Sequence, residues 1–369
     1  MSDFAIISFI ISLLISGFSI PVIIRVAQLK NLTDDPDSKR KTHIGNTPTL
    51  GGVAIFAGLL VAFTSLYDLN GFTDLKFITP ALVILFFAGI KDDVLVLDPM
   101  KKLAVQIVCA AIIVYFGNLR LTSLWGILAI TELPYFVGIA LTILLIVSLI
   151  NAFNLIDGIN GLAGSLGLIA AVYFGTWFAL NEMGSLTVLS FSLAGSLVGF
   201  LIFNYNRAKI FMGDTGSMAI GFIIAILVVR FVEANRVNME SLQYPVVNAP
   251  AMVFAVLAIP IFDMIRVFTI RLSQKKSPFS ADRNHIHHYF VDSGFSHAKA
   301  TGWLIGITVS CILIAQPLDQ FRSAWGILAL FVYLMAWSFF VCRYLKKTAA
   351  ERIANRQLKS SQMPIGKKV

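Results

Sequence analysis

The sequence predicts an all-α fold: a polytopic integral membrane helix bundle of about eleven transmembrane helices, N-terminus external and C-terminus cytoplasmic. Three observations predict it. Of 369 residues, 57% are hydrophobic and only 13% charged, against about 25% charged in a soluble domain. Mean hydropathy is +0.81. Apolar runs recur almost to the end of the chain, and Lys and Arg gather in alternate loops between them. So little charge cannot cover a globular surface of this size. A soluble enzyme, a disordered protein and a nucleic-acid binder are excluded, despite a net charge of +9. Backbone groups in lipid must pair internally, and the alternating strands of a membrane barrel are absent, which leaves helices.

The first run, Phe4 to Ile24, has the ~20 apolar residues that a span needs. It lacks a basic leader and a small-residue cleavage site, so it reads as a retained helix. Further runs follow at 50–67, 77–90, 103–117, 134–153, 162–180, 186–204, 217–232, 249–270, 301–316 and 324–343. Those at 77–90 and 103–117 are short, so ten or twelve spans also fit. The stretch 121–130 is apolar but too short to cross and reads as interfacial. Cys109, Cys311 and Cys342 lie in or beside apolar runs and suggest no disulfide framework.

Charge placement sets the orientation. Five of the 29 Lys and Arg (Lys76, Arg120, Arg230, Arg236 and Arg322) fall on one side, leaving 24 for the other. The positive-inside rule makes the richer side cytoplasmic. Residues 1–345 then form a single transmembrane domain with its functional loops on the cytoplasmic side, and 346–369 a basic cytoplasmic tail. No internal repeat is visible.

Five polar segments of unusual composition face that cytoplasmic side: Lys39 to His43, Lys91-Asp92-Asp93, Asn151 to Asn160, Asn204 to Asp214, and Asp282 to His288. Loops that merely connect helices need turn residues, not five such clusters. Adjacent carboxylates at Asp92 and Asp93 repel; two unit charges ~4 Å apart interact by about 4 kcal/mol at an effective dielectric of 20. The pair suits a divalent cation or a phosphate site, or an acidic helix end balanced by Lys91, Lys101 and Lys102. Asn151, Asn154 and Asp157 share one broad helix face where an apolar run ends. Polar groups at that depth are costly and usually face a cavity; helix capping and packing is the alternative. Phe211 to Ser217 sets Asp214 in a Gly-flanked turn before a helix, where a carboxylate serves as a cap or, with nearby N–H groups, as part of a metal–diphosphate site. His285, His287 and His288 lie beside Arg283, without the further ligands that zinc would need. Phosphate binding fits them better. Asp263 and Arg266, three apart, predict an intrahelical pair outside any site. His297, near the start of the next apolar run, is expected to matter little.

In this order the segments resemble the polyprenyl-phosphate N-acetylhexosamine-1-phosphate transferases. The resemblance runs from about Lys39 to His288 and rests on Asn-Leu-Ile-Asp-Gly at 154–158, Phe-Met-Gly-Asp-Thr-Gly-Ser at 211–217 and Ser-Ala-Asp-Arg-Asn-His-Ile-His-His at 280–288. The last is similar to the N-acetylglucosamine branch. The muramoyl-pentapeptide branch carries three consecutive histidines, which Ile286 interrupts here.

The resemblance implies transfer of N-acetylhexosamine-1-phosphate, GlcNAc-1-phosphate foremost, from a UDP-sugar to undecaprenyl or another polyprenyl phosphate, releasing UMP. That is a first membrane step of cell-envelope glycan assembly of O-antigen, enterobacterial common antigen or teichoic-acid type, at the cytoplasmic (inner) membrane. Muramoyl-pentapeptide-phosphate transfer is the alternative. The resemblance further implies a Mg²⁺ cofactor, with Mn²⁺ as substitute, and Asp214 as its ligand. Asp92, Asp93, Asp157, His287 and His288 form the implied catalytic set. Lys102, Asn154, Asn204, Phe211 (near uracil), Arg283 and His285 bind substrate, as do Lys41 and His43 in a basic patch. The implied partners are UDP-N-acetylhexosamine, a polyprenyl phosphate and the membrane, with a homodimer admitted and no nucleic acid. Position 160 departs from many relatives in carrying Asn rather than Asp, which weakens a charged contact to uridine there.

Two readings from other classes compete. A transporter of a phosphorylated solute places ionisable residues near mid-membrane, often in repeated halves, whereas here they sit at helix ends on one side. A CDP-alcohol phosphotransferase needs Asp-Gly-x-x-Ala-Arg, but Asp157-Gly158 is followed by Ile-Asn-Gly-Leu. A structural scaffold leaves the one-sided clusters unexplained.

Overall fold

The structure, a computed structural model, describes residues 2–30, 47–66, 76–277, 283–321 and 323–361, the last through the backbone alone beyond 348. Among the described residues it is helical throughout, without strands. The helices are α1 (Ser2–Leu29), α2 (Gly51–Leu66), α3 (Ile78–Leu95), α4 (Pro99–Ala111), α5 (Tyr135–Ile156), α6 (Leu162–Leu180), α7 (Gly184–Asn204), α8 (Gly213–Val237), α9 (Ala249–Val256), α10 (Ala258–Ser273), α11 (Ile286–Asp292), α12 (His297–Ala315) and α13 (Ser323–Ser361).

Every apolar run of the sequence is helical, but length and composition do not make each one a span. Among the described residues eight helices are long and apolar enough to cross a membrane, α4 among them once the π turn Ile112–Phe116 extends it. Helices α9 and α10 add a ninth if counted together across their 81° bend. The bend has a local cause. Pro260 has no N–H to donate to the Val256 carbonyl, and the chain breaks at Leu257. Helix α2 has only 16 residues, and α3 carries Lys91, Asp92 and Asp93 near its C-terminal end. The expected interfacial stretch at 121–130 contains a short 3₁₀ turn, Ile127–Ala129. Helix α13 continues past residue 346, where the sequence placed the start of a tail.

Helix α8 is the axis of the bundle. It is apolar on all sides, and 94% of its apolar window is buried, as a helix surrounded by others must be. Only 22% of the corresponding window of α1 and of α13 is buried; large exposed side chains such as Phe18, Phe87, Phe136 and Phe340 suit contact with lipid tails. Missing side chains let neighbours close on α8. A Cβ on Gly52 of α2 would overlap the backbone of Gly216, one on Gly89 of α3 would lie 2.5 Å from Thr215 Cα, and one on Gly221 would lie 2.6 Å from Ile150 Cα of α5. Such close approach is how membrane helices gain packing contacts. It also brings the carboxylates of α3 and the amides of α5 to the first turn of α8.

Candidate active site

Six helix ends meet around that turn. The chain enters it through a short run of backbone pairing: Phe211 N donates to Pro48 O at 2.8 Å, Gly51 N to Phe211 O at 2.9 Å and Gly52 N to Met212 O at 2.8 Å. Gly213 takes φ +72°, and a Cβ there would overlap Thr49 O, so only glycine fits. Asp214 follows in the first turn of α8, where the helix dipole favours a negative charge.

The α3 carboxylates divide the work. Asp93 accepts from Asp214 N at 2.6 Å, Thr215 N at 3.1 Å and Thr215 Oγ1 at 2.6 Å. It caps α8 from a distance in sequence of about 120 residues and fixes Asp214. Asp92 accepts Leu97 N on Oδ1 at 2.5 Å, closing the turn after α3. Its Oδ2 lies 2.9 Å from the ammonium of Lys102, in the first turn of α4. The same ammonium lies 2.8 Å from Asp214 Oδ2.

Helix α5 contributes Asn154 and Asp157. Asn154 Nδ2 donates to Asp214 Oδ1 and, at 3.0 Å, to Ser217 Oγ. Behind it Asn151 Nδ2 donates to Gln106 Oε1 at 2.7 Å, tying α5 to α4. Asp157 caps α5 and is half-buried on the cavity. Burial, with the negative charges of Asp214 and Asp93 adding to it, holds its carboxyl well above the usual range. Asn204 spends its amide locally: Oδ1 accepts Gly161 N at 2.6 Å and Nδ2 donates to Ile210 O at 2.8 Å. It fixes the 157–161 turn against the entry to α8.

These ends enclose a cavity of about 490 Å³. Asp92, Asp93, Asn154, Asp157, Asn204, Phe211 and Asp214 line it, as do Arg283, His288 and His297. Arg283 sits at the rim, paired with Asp292 at 2.7 Å. Burial and the nearby Arg283 guanidinium hold His288 below the usual imidazole range. His285 and His287 do not line the cavity. His285 is buried, its Nδ1 2.9 Å from Asp263 Oδ2. His287 packs its ring on Gly158, where a Cβ would overlap Nε2. Among the described residues that buried Nε2 has no hydrogen-bond partner, and burial, with His288 beside it, drives the imidazole well below its usual range.

Lys41 and His43 lie outside the described residues. The remaining predicted site residues converge at one end of the bundle, either on the cavity or directly behind it. Two residues were passed over. Asp263 does pair with Arg266, at 2.8 Å, but it also anchors His285, and only the fold could bring those two together. His297 accepts Asn160 N on Nδ1 at 3.3 Å, while Thr301, one turn further along α12, donates Oγ1 to Asn160 O at 2.9 Å. No sequence signal marked it.

Among the described residues no group of three or more His, Cys, Asp and Glu could hold a metal ion. Asp92 and Asp214 nevertheless direct one oxygen each at a single cation, the Lys102 ammonium. Two carboxylates with room for water and phosphate oxygens are a donor set that fits Mg²⁺, which seldom takes an all-protein cage.

Comparison with known proteins matches residues 75–232 to glycosyl transferase family 4. Over 356 residues the chain is 29% identical to the undecaprenyl-phosphate alpha-N-acetylglucosaminyl 1-phosphate transferase of Escherichia coli O157:H7, covering 90% of this chain and 91% of that protein. It is 34% identical over 310 residues to a probable undecaprenyl-phosphate N-acetylglucosaminyl 1-phosphate transferase of Bacillus subtilis (strain 168), covering 83% of each. It is 32% identical over 281 residues to the decaprenyl-phosphate N-acetylglucosaminephosphotransferase of Mycobacterium leprae (strain TN), covering 71% of this chain and 70% of that protein.

Proposed function

Because the chain belongs to glycosyl transferase family 4, we propose that it transfers N-acetylglucosamine-1-phosphate from UDP-N-acetylglucosamine to a polyprenyl phosphate in the membrane. One observation carries the reading: four carboxylates, two imidazoles and a guanidinium line one cavity at the helix ends, and the Lys102 ammonium pairs with two of those carboxylates. A site there can admit a soluble sugar nucleotide and a lipid whose phosphate lies at the membrane surface.

In the reaction an oxygen of the lipid phosphate forms a bond to the β-phosphorus of the UDP-sugar, and the bond from that phosphorus to the UMP oxygen breaks. The products are polyprenyl-diphosphate-sugar and UMP. Both substrates are anionic, so repulsion is the first barrier. Asp92 and Asp214 would hold a Mg²⁺, which when bound neutralises diphosphate charge and eases the departure of UMP. Arg283 and His288, which also line the cavity, supply donors to phosphate oxygens. Phe211 offers a ring to the base, beside the turn that Asn204 fixes. A phosphate monoester has a second pKa near ~6, so at pH 7 most acceptor is already a dianion and needs no dedicated base. Asp157 lines the same cavity, where burial and the charges of Asp214 and Asp93 raise its carboxyl above the usual range.

The alternation of helix ends supports eleven crossings. The second helix starts at the cavity end, where Gly51 and Gly52 bond to the turn before Asp214; α13 returns there, its Leu345 carbonyl accepting Ser293 Oγ at 2.7 Å. The N-terminus then lies opposite the cavity. With Lys and Arg concentrated at the cavity end, that end is cytoplasmic. The test is UMP release from purified protein given polyprenyl phosphate, Mg²⁺ and a panel of UDP-sugars. Release with UDP-N-acetylglucosamine above the other sugars is expected; release with none rejects the reading.

A further inference from the structure

We infer that Lys102 is the resident counter-ion of the Asp92–Asp214 pair, and that a divalent cation takes the pair by displacing it. The inference deepens the proposed function and rests on it for the identity of the cation's task.

The geometry is restrictive. Each carboxylate has one oxygen anchored: Asp92 Oδ1 by Leu97 N at 2.5 Å, and Asp214 Oδ1 by Asn154 Nδ2. The oxygens that remain, both Oδ2, point at the Lys102 ammonium from 2.9 and 2.8 Å. Each Oδ1 keeps a second lone pair, but only the two Oδ2 atoms converge on one point. Asp214 is further constrained because its own N–H is held by Asp93 at 2.6 Å. A cation that bridges the two carboxylates therefore takes the oxygens that Lys102 holds. Bound at the ~2.0–2.1 Å that Mg²⁺ demands, it would share two oxygens with an ammonium and repel it across a poorly solvated gap. The lysine side chain is only 16% exposed.

The lysine is suited to leaving. Its ammonium is a point charge on a flexible four-carbon stem, and the stem rises from the first turn of a helix beside the cavity. Without a metal it keeps two converging carboxylates from repelling each other. Once released it carries its charge toward phosphate oxygens, so metal binding and the arming of a phosphate-binding lysine become one event.

The experiment uses the full-length protein in detergent, with Mn²⁺ as the probe and no substrate. Lys102 in the wild-type protein is acylated with an amine-reactive reagent and quantified by peptide mass spectrometry, with exposed Lys101 as the internal reference. Mn²⁺ binding is followed by the loss of its free paramagnetic signal. The expected result is a several-fold rise in Lys102 acylation relative to Lys101 as Mn²⁺ binds. In parallel, Lys102→Met should melt lower than wild type in chelator and lose that deficit at saturating Mn²⁺. If Mn²⁺ binds while Lys102 acylation stays flat or falls, displacement is overturned, and the proposed transfer reaction stands. A Lys102→Met deficit that persists at saturating Mn²⁺ also overturns it, since the lysine then serves only packing. Failure of Mn²⁺ to bind either protein overturns both the displacement and the metal-assisted reaction. The wild-type labelling decides the matter even if the variant does not fold.

Discussion

The carboxylate of Asp263 in α10 accepts a hydrogen bond from Nδ1 of His285 at 2.9 Å, both residues being buried. Asp263 Oδ1 also accepts Ile286 N at 3.2 Å and pairs with Arg266 at 2.8 Å. One side chain thus holds the start of α11 and, through it, the placement of His287 and His288. His285 acts from behind the cavity, as a support for the neighbours that reach it.

Asp214→Asn should fold and insert normally and lose about 10²–10³ in kcat, the scale of a lost electrostatic contact at a reaction centre. Charge is removed at near-constant shape, and the Asn154 amide still has an oxygen to meet. Turnover near wild type at saturating Mg²⁺ would remove Asp214 from the metal site.

Gly158→Ala should be as damaging as a change in the histidine loop itself. The added Cβ would overlap His287 Nε2, and a buried ring cannot swing aside as the end of a lysine could. Helix α11 must shift, carrying His288 with it, and a displacement near 1 Å can lower turnover by up to ~10²-fold. A Gly158→Ala enzyme with unchanged kcat and KM would mean that the loop adapts without consequence.

Stability should fall on the acid side through the buried imidazoles. His287 is held neutral well below the ordinary value of 6.5, chiefly by burial, and His288 is lowered in the same direction. Below pH 6.5 the unfolded chain takes up protons that the folded one refuses. Stability is therefore complete above that pH and declines as pH falls below it. Melting curves from pH 8 to pH 5 should show this slope, and His287→Gln should flatten it. An unchanged slope in the variant would assign the acid sensitivity elsewhere.

His297 should discriminate two roles by its isosteres. Asparagine can present an acceptor near Nδ1 and keep the Asn160 N–H satisfied, whereas alanine leaves that N–H unpaired at the cavity wall. His297→Ala should raise KM for the UDP-sugar about tenfold, the equivalent of one hydrogen bond of ~1.4 kcal/mol, and His297→Asn should recover most of it. Equal KM in wild type and His297→Ala would return His297 to the minor role that its sequence context suggested.

Topology can be read with single cysteines at two exposed positions, Asn238→Cys beyond α8 and Lys276→Cys beyond α10. Membrane-impermeant maleimide on intact cells should label the first and spare the second. The native thiols of Cys109 and Cys311 are buried and give little background. Labelling of both from outside would break the proposed orientation.

Legibility in the sequence followed the range of the interactions. Helices were readable because each apolar run has to satisfy its own backbone in lipid, and the run from 217 to 232 lies inside α8. Convergence of the carboxylate, asparagine and histidine segments was readable from their one-sided placement and from the family resemblance. Span boundaries were less so. The bend at Leu257 depends on Pro260 breaking one local bond, yet its angle of 81° is visible only in the folded chain.

Roles within the site separated only in three dimensions. Asp92 and Asp93 are adjacent letters, and the sequence treats them alike; the fold turns Asp93 inward to cap α8 and leaves one oxygen of Asp92 for a cation. Asp263 looked like half of an intrahelical pair because its second partner lies 22 residues away, and His297 looked incidental because Asn160 is 137 residues away. By itself the sequence determined the solvent, the helices and the grouping of the polar segments on one side, because hydropathy and charge act locally along the chain. The tertiary structure decided which polar group meets which, because hydrogen bonds and ion pairs depend on distances of about 3 Å that only packed helices can fix.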